Sequence, residues 1–206
     1  MSVDHPHQGT SDPAPAGDGV SRLEGEDSID PHFRCGYVAI VGLPNVGKST
    51  LLNTFLAQKV SIVTPKPQTT RHKILGILSS ARSQVVFLDT PGLLKPKYLL
   101  QEVMMGYAES ALADSDLNLL MIDATDPDAK GGREHAEMAK HVTHRPTPAF
   151  LVINKTDKVH KPELLPLIDS YARGYPFKEI FPISARKQVG TSELLASVIG
   201  MLPEHP

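Results

Sequence analysis

"GLPNVGKST", residues 42 to 50, is the stretch that decides the fold. Gly42, Gly47, Lys48 and Ser49 satisfy the pattern G-x-x-x-x-G-K-[ST], with Asn45 and Val46 inside the loop and Thr50 directly after it. A triphosphate must be wrapped at close range by backbone N–H groups, and side chains at the glycine positions would obstruct that approach. The lysine then screens phosphate charge, and the hydroxyl can bind a metal ion on the same oxygens. An ordinary glycine turn between a strand and a helix would also accept two glycines, so the rest of the chain has to separate the two readings.

Working outward, "YVAIVG" before the loop is a β-branched run suited to a buried strand. "KSTLLNTFLAQ" after it has helical spacing, with Leu51, Leu52, Phe55 and Leu56 available to pack on a sheet. "HKILGILSS" and "SQVVFLDT" read as adjacent strands joined by a brief turn, and a helix is expected from about Gln101 to Ala113. The strands "LNLLMIDA", "AFLVINK" and "EIFPIS" then alternate with the helices "GREHAEMAKHV", "PELLPLIDSYARG" and "SELLASVIGML". This order predicts an α/β fold of the P-loop NTPase kind: a mostly parallel six-stranded sheet with helices on both faces. Ligands in such sheets bind beyond the carboxyl ends of the strands, where the glycine loop already sits.

Composition narrows the class. The chain has 206 residues, enough for one well-filled core, and its 40% hydrophobic and 21% charged content is that of an ordinary globular domain. One cysteine, Cys35, excludes an internal disulfide framework and suits a reducing compartment. No apolar run serves as a signal peptide or spans a bilayer, so a cytoplasmic protein is expected. Residues 1 to 32 carry seven acidic side chains and only Arg22 as a basic one, in a Pro-, Gly-, Ser- and Asp-rich stretch without apolar periodicity. Residues 1–34 therefore read as a disordered acidic extension, and 35–206 as one domain. Without that extension 16 acidic residues face 20 basic ones, a mild surplus compatible with a nucleic-acid partner.

Three more motifs end predicted strands. "DTPG", Asp89, Thr90, Pro91 and Gly92, offers a carboxylate that can hold Mg²⁺, directly or through water, and a Gly92 N–H for a terminal phosphate. "NKTD" has a base-reading rationale. Guanine presents donors at N1 and N2 that the Asp157 carboxylate can accept together, whereas adenine would leave a buried Asp157 without them. Asn154 would brace the loop and the base, and the Lys155 stem would lie against the ring. "SAR", Ser184, Ala185 and Arg186, supplies a backbone N–H, that of Ala185, for guanine O6. Each motif alone is also a good turn sequence. Together, in the order phosphate, magnesium, base, base, they point to a guanine nucleotide, GTP or GDP.

"CGYVAIVGLPNVGKSTLLN", "KPQTTRHKILGI", "DTPGL", "NKTDKV" and "PISA" together resemble the GTPase domain of the Era-type ribosome-assembly GTPases, over about residues 35 to 204. "QTTRHKILGI" is the particular part; the phosphate and base motifs are common to many GTPases. The resemblance implies a G domain that binds GTP and Mg²⁺, hydrolyses GTP and helps mature the small ribosomal subunit and its 16S rRNA. Membrane attachment is a trait of that family, so peripheral association at the inner membrane is a further expectation, although no segment here is an evident anchor; the chain itself is expected to be a monomer. The family's C-terminal KH domain, which grips the RNA, would begin where this sequence stops at "MLPEHP", so the RNA grip is expected mainly outside these residues.

By the same resemblance, about Lys59 to Lys73 corresponds to switch I, with Gln68, Thr69, Thr70, Arg71 and His72 towards its end. Either Thr69 or Thr70 would join Ser49 and Asp89 at Mg²⁺; Arg71 and His72 read as surface or partner contacts. Asp89 to Leu93 correspond to switch II. Ras-like enzymes place a water-positioning glutamine at the position of Leu93, which cannot orient water, so hydrolysis needs another arrangement and is expected to be slow and partner-stimulated. Asn45 offers one, since Era-related GTPases hold potassium through an asparagine there; it also reads as a residue that only shapes the loop. The alternatives are another ribosome- or tRNA-linked P-loop GTPase, a nucleotide-gated binding module with negligible turnover, and a P-loop kinase or ATPase, against which "NKTD" argues.

Overall fold

The computed structural model describes residues 32–58, 74–90 and 108–204. Residues 1–31 of the expected 1–34 extension, the whole switch I segment, Pro91, Gly92 and Leu93, and residues 101–107 of the helix expected from about Gln101 to Ala113 lie outside these residues.

Six strands form one sheet: β1 (Arg34–Val41), β2 (Ile74–Ser80), β3 (Ser83–Asp89), β4 (Leu117–Asp123), β5 (Ala149–Asn154) and β6 (Glu179–Pro182). Their spatial order is β2-β3-β1-β4-β5-β6. β2 pairs with β3 as an antiparallel hairpin, and the other four pairings are parallel. The helices are α1 (Lys48–Gln58), the helical residues 108–114 (α2), α3 (Arg133–Thr143), α4 (Lys161–Gly174) and α5 (Thr191–Met201). The expected class and strand count are those observed. β1 begins three residues before "YVAIVG", because Arg34 and Cys35 continue the register along Ser83 and Gln84 of β3. The Arg34 guanidinium also donates to the Gly200 and Leu202 carbonyls at 2.8 Å, holding the end of α5 against the start of the sheet.

Side chains alternate across a strand, so one strand feeds two cores. Leu117, Leu119 and Met121 of β4 join Leu51 and Phe55 of α1 and Leu194, Leu195 and Val198 of α5 on one face. Leu120 and Ile122 of the same strand join Leu112 of α2, Met138 and Val142 of α3, and Leu167 and Tyr171 of α4 on the other. β4 is buried from Leu117 to Ile122, which is why it reads as a continuous apolar run and not an alternating one. Phe55 stacks on Phe87 with ring centroids 5.7 Å apart, fixing α1 over β3. The loops after β1, β3, β4, β5 and β6 consequently leave from one edge, the carboxyl ends of the parallel strands.

Candidate nucleotide-binding site

The loop 42–47 turns from β1 into α1 with backbone that side chains would spoil. A Cβ on Gly42 would stand 2.4 Å from the Met121 carbonyl oxygen of β4. Gly47 has φ 105°, and a Cβ there would stand 2.3 Å from Asn154 Nδ2. Between them Asn45 takes a left-handed φ of 62°, a conformation asparagine tolerates better than most residues, and is exposed. Val46 is buried in the core beneath the loop. The Lys48 ammonium donates to the Gly42 carbonyl at 2.8 Å and the Leu43 carbonyl at 3.1 Å, so the chain's own lysine arches over the loop. The bond from Leu51 N–H to the Gly47 carbonyl, 2.9 Å, opens the α1 ladder. The N–H groups ahead of it belong to the helix end that favours anions. Ser49 and Thr50 are exposed on this first turn.

Asn154 joins this loop to the far side of the site. Its buried amide donates from Nδ2 to the Val46 carbonyl at 2.8 Å, and its Oδ1 accepts from the Ala185 N–H at 2.9 Å. The Ala185 N–H assigned to guanine O6 is thus engaged by a side chain, and a base oxygen there would share or replace that bond. Ser184 donates from its hydroxyl to Asp157 Oδ1 at 2.6 Å, bringing "NKTD" and "SAR" together. That bond holds the Asp157 carboxyl below the usual 3.8, against a smaller opposing effect of burial. Asp157 is exposed, not buried as the sequence argument supposed, and its carboxylate stands at the open rim of the site. Arg186 is likewise exposed.

Lys155 has a left-handed φ of 64°. Its ammonium meets Asp123 Oδ2 at 2.5 Å. Asp123 also accepts from the Thr125 N–H at 2.9 Å and hydroxyl at 2.7 Å. Burial favours the neutral acid, yet the bonds from Lys155 and Thr125 together outweigh it and hold Asp123 below the ordinary 3.8. The sequence reading missed Asp123. Its signal was an acid ending the strand next to β5, and the register pairs it directly with Asn154.

Of "DTPG", Thr90 is buried and its hydroxyl donates to the Ile40 carbonyl at 2.7 Å. Asp89 pairs in register with Ile40, which puts the end of β3 beside the start of the phosphate loop. The structure thus brings together the phosphate loop, the start of "DTPG", and both base motifs. Thr69, Thr70, Arg71, His72, Gln68, Pro91, Gly92 and Leu93 fall outside the described residues.

Residues 37–155 match the family described as "50S ribosome-binding GTPase". The chain belongs to that GTPase family. Curated relatives narrow the position. GTPase Era of Lactobacillus helveticus is 46% identical over 177 residues, covering 86% of this chain and 58% of the relative. A crystal structure of an Aquifex aeolicus Era point variant bound to GDP and AlF4⁻ is 42% identical with a TM-score of 0.69, covering 84% of this chain and 59% of that one. A second Era structure, in complex with MgGDPNP and nucleotides 1506–1542 of 16S ribosomal RNA, is 43% identical with a TM-score of 0.70, covering 85% and 59%. This GTPase-family chain therefore spans less than two thirds of the Era proteins it resembles. Among the described residues no helix is long and apolar enough to cross a membrane.

Proposed function

We propose that this chain is the nucleotide-binding part of an Era-type switch: it binds GTP and GDP with Mg²⁺, hydrolyses GTP, and acts as a monomer on the small ribosomal subunit in the cytoplasm. The observation that carries the reading is the Asn154 amide, which bonds to Val46 of the phosphate loop and Ala185 of the base loop at once. A site built to hold one molecule by both its phosphates and its base needs such a tie. The Era structures solved with GDP, with MgGDPNP and with 16S RNA support the choice of nucleotide and of RNA partner.

In this reading Lys48 exchanges the loop carbonyls for β- and γ-phosphate oxygens, and the first turn of α1 adds its N–H groups. Asp157 accepts from guanine N1 and N2, Ser184 keeps that carboxylate oriented, and the Lys155 stem lies along the ring. The exposed Ser49 hydroxyl suits a Mg²⁺ ligand, and the strand-end position of Asp89 beside Ile40 suits a second, reached through water. Bound there, Mg²⁺ would neutralise charge on the phosphate oxygens. Asn45 adds an exposed amide oxygen at the turn of the loop, and a potassium ion held by it would place positive charge where an arginine finger acts in other GTPases.

The test is GTP turnover by the 206-residue chain with and without small ribosomal subunits. Turnover stimulated by subunits is the expected result. Nucleotide binding with no turnover under either condition would reduce the protein to a nucleotide-gated binding module.

A further inference from the structure

Thr54 lies on α1, away from every motif that marks the site, and is buried. Its hydroxyl reaches two carbonyls, Thr50 at 2.9 Å and Ala185 at 3.0 Å. A hydroxyl has one proton to give. The Thr50 carbonyl sits four residues back along α1, where the helix ladder already brings it a backbone N–H. The Ala185 carbonyl has no such ladder; besides Thr54 it is approached by the Gln188 N–H at a long 3.4 Å. The carbonyl that depends on Thr54 is therefore that of Ala185.

Ala185 is held on both sides by side chains from other elements. Asn154 of β5 takes its N–H, and Thr54 of α1 serves its carbonyl. We infer that Thr54 is a positioning residue for base recognition: its hydroxyl ties the phosphate-bearing helix to the loop that presents the Ala185 N–H to guanine O6. The inference rests on the proposed base site and adds to it a residue that never touches nucleotide. Because α1 begins at Lys48 and Ser49, the tie also fixes the distance between the phosphate end and the base end of the ligand site. A valine would keep the shape but leave the Ala185 carbonyl with only the long 3.4 Å approach of the Gln188 N–H.

The experiment is competitive binding of GDP and of 2-aminopurine ribonucleoside 5′-diphosphate, which keeps the 2-amino group but has neither O6 nor the N1–H and so lacks most of the base contacts, to the whole chain and to Thr54→Val and Thr54→Ser. Thr54→Val should weaken GDP about tenfold, the size of one buried hydrogen bond, and leave the analogue within about twofold of the parent chain. Thr54→Ser should restore GDP binding. Equal weakening for both nucleotides, with circular dichroism unchanged, would mean that Thr54 only supports α1 and would overturn the inference. No weakening of GDP would overturn it as well. A parent chain that does not distinguish GDP from the analogue would remove the base site itself, and Thr54's role with it.

Discussion

Asn154 donates to the Val46 carbonyl at 2.8 Å, and so the last residue of β5 closes onto the phosphate loop that follows β1. The contact leaves no room on the loop side. Gly47 is glycine because a Cβ would overlap that same amide and because its φ is 105°. In the proposed site, the phosphate loop and the base loop therefore share one buried side chain.

Gly47→Ala should displace the amide and strain the loop together. GDP affinity is expected to fall at least about tenfold, since a buried hydrogen bond is broken and the turn must shift. Isothermal titration against the parent chain measures it; unchanged affinity would mean that the loop adapts and the contact is incidental.

Asn154→Ala should cost stability as well as affinity. It leaves the Val46 carbonyl and the Ala185 N–H without their partner, and both belong to buried residues. A loss of roughly 2–4 kcal/mol is expected from two such groups, read as a lower urea midpoint at constant slope. Asn154→Asp should be no better, because a carboxylate cannot donate to Val46.

How much of this was legible beforehand follows from the chemistry. The residues of "GLPNVGKST", "NKTD" and "SAR" stood out because phosphate and guanine demand particular groups at fixed offsets after a strand. The class, a mostly parallel six-stranded sheet covered by helices, needed only the alternation of β-branched runs with helical spacing, while the strand order came from the structure. Asp123 was not legible, since one acid after a strand is common and its meaning depends on β4 lying in register with β5. Thr54 was hidden for the same reason: its partner Ala185 is 131 residues away in sequence. Asp157 was expected to be buried, yet it lies in the short turn Thr156–Lys158 after β5, none of whose residues is buried.

Acid should act on the base site late. The Ser184 hydroxyl keeps the Asp157 carboxyl below 3.8, so in the proposed site its acceptance of guanine donors is complete above 3.8 and lost only as pH falls through the lower folded pKa. GDP affinity should stay level from neutral pH to about pH 5 and drop only in stronger acid. Ser184→Ala should move the drop to higher pH. Fluorescent GDP titrations across pH would show it, and a drop centred near pH 6 would point to a histidine instead.

Asp123 should contribute to stability in the same direction. With its folded pKa held below 3.8, its contribution is complete above that value and is lost as pH falls through the folded one. Asp123→Asn should therefore flatten part of the acid slope of urea stability while lowering stability at neutral pH. An unchanged slope would show that the Lys155 contact carries no net energy.

Potassium should speed GTP hydrolysis relative to sodium at equal ionic strength, and Asn45→Ala should remove the difference. Equal rates in the two salts would leave Asn45 as a residue that shapes the left-handed turn and nothing more.

The central claim is that this chain holds a guanine nucleotide through both its phosphates and its base. Competition of GDP and ADP for the 206-residue chain in the presence of Mg²⁺ tests it most directly. GDP is expected to displace a fluorescent guanine nucleotide, and ADP to do so only at about 100-fold higher concentration or more, as a site that hydrogen-bonds its base discriminates. Equal displacement by both would contradict it, leaving a phosphate loop that does not read the base.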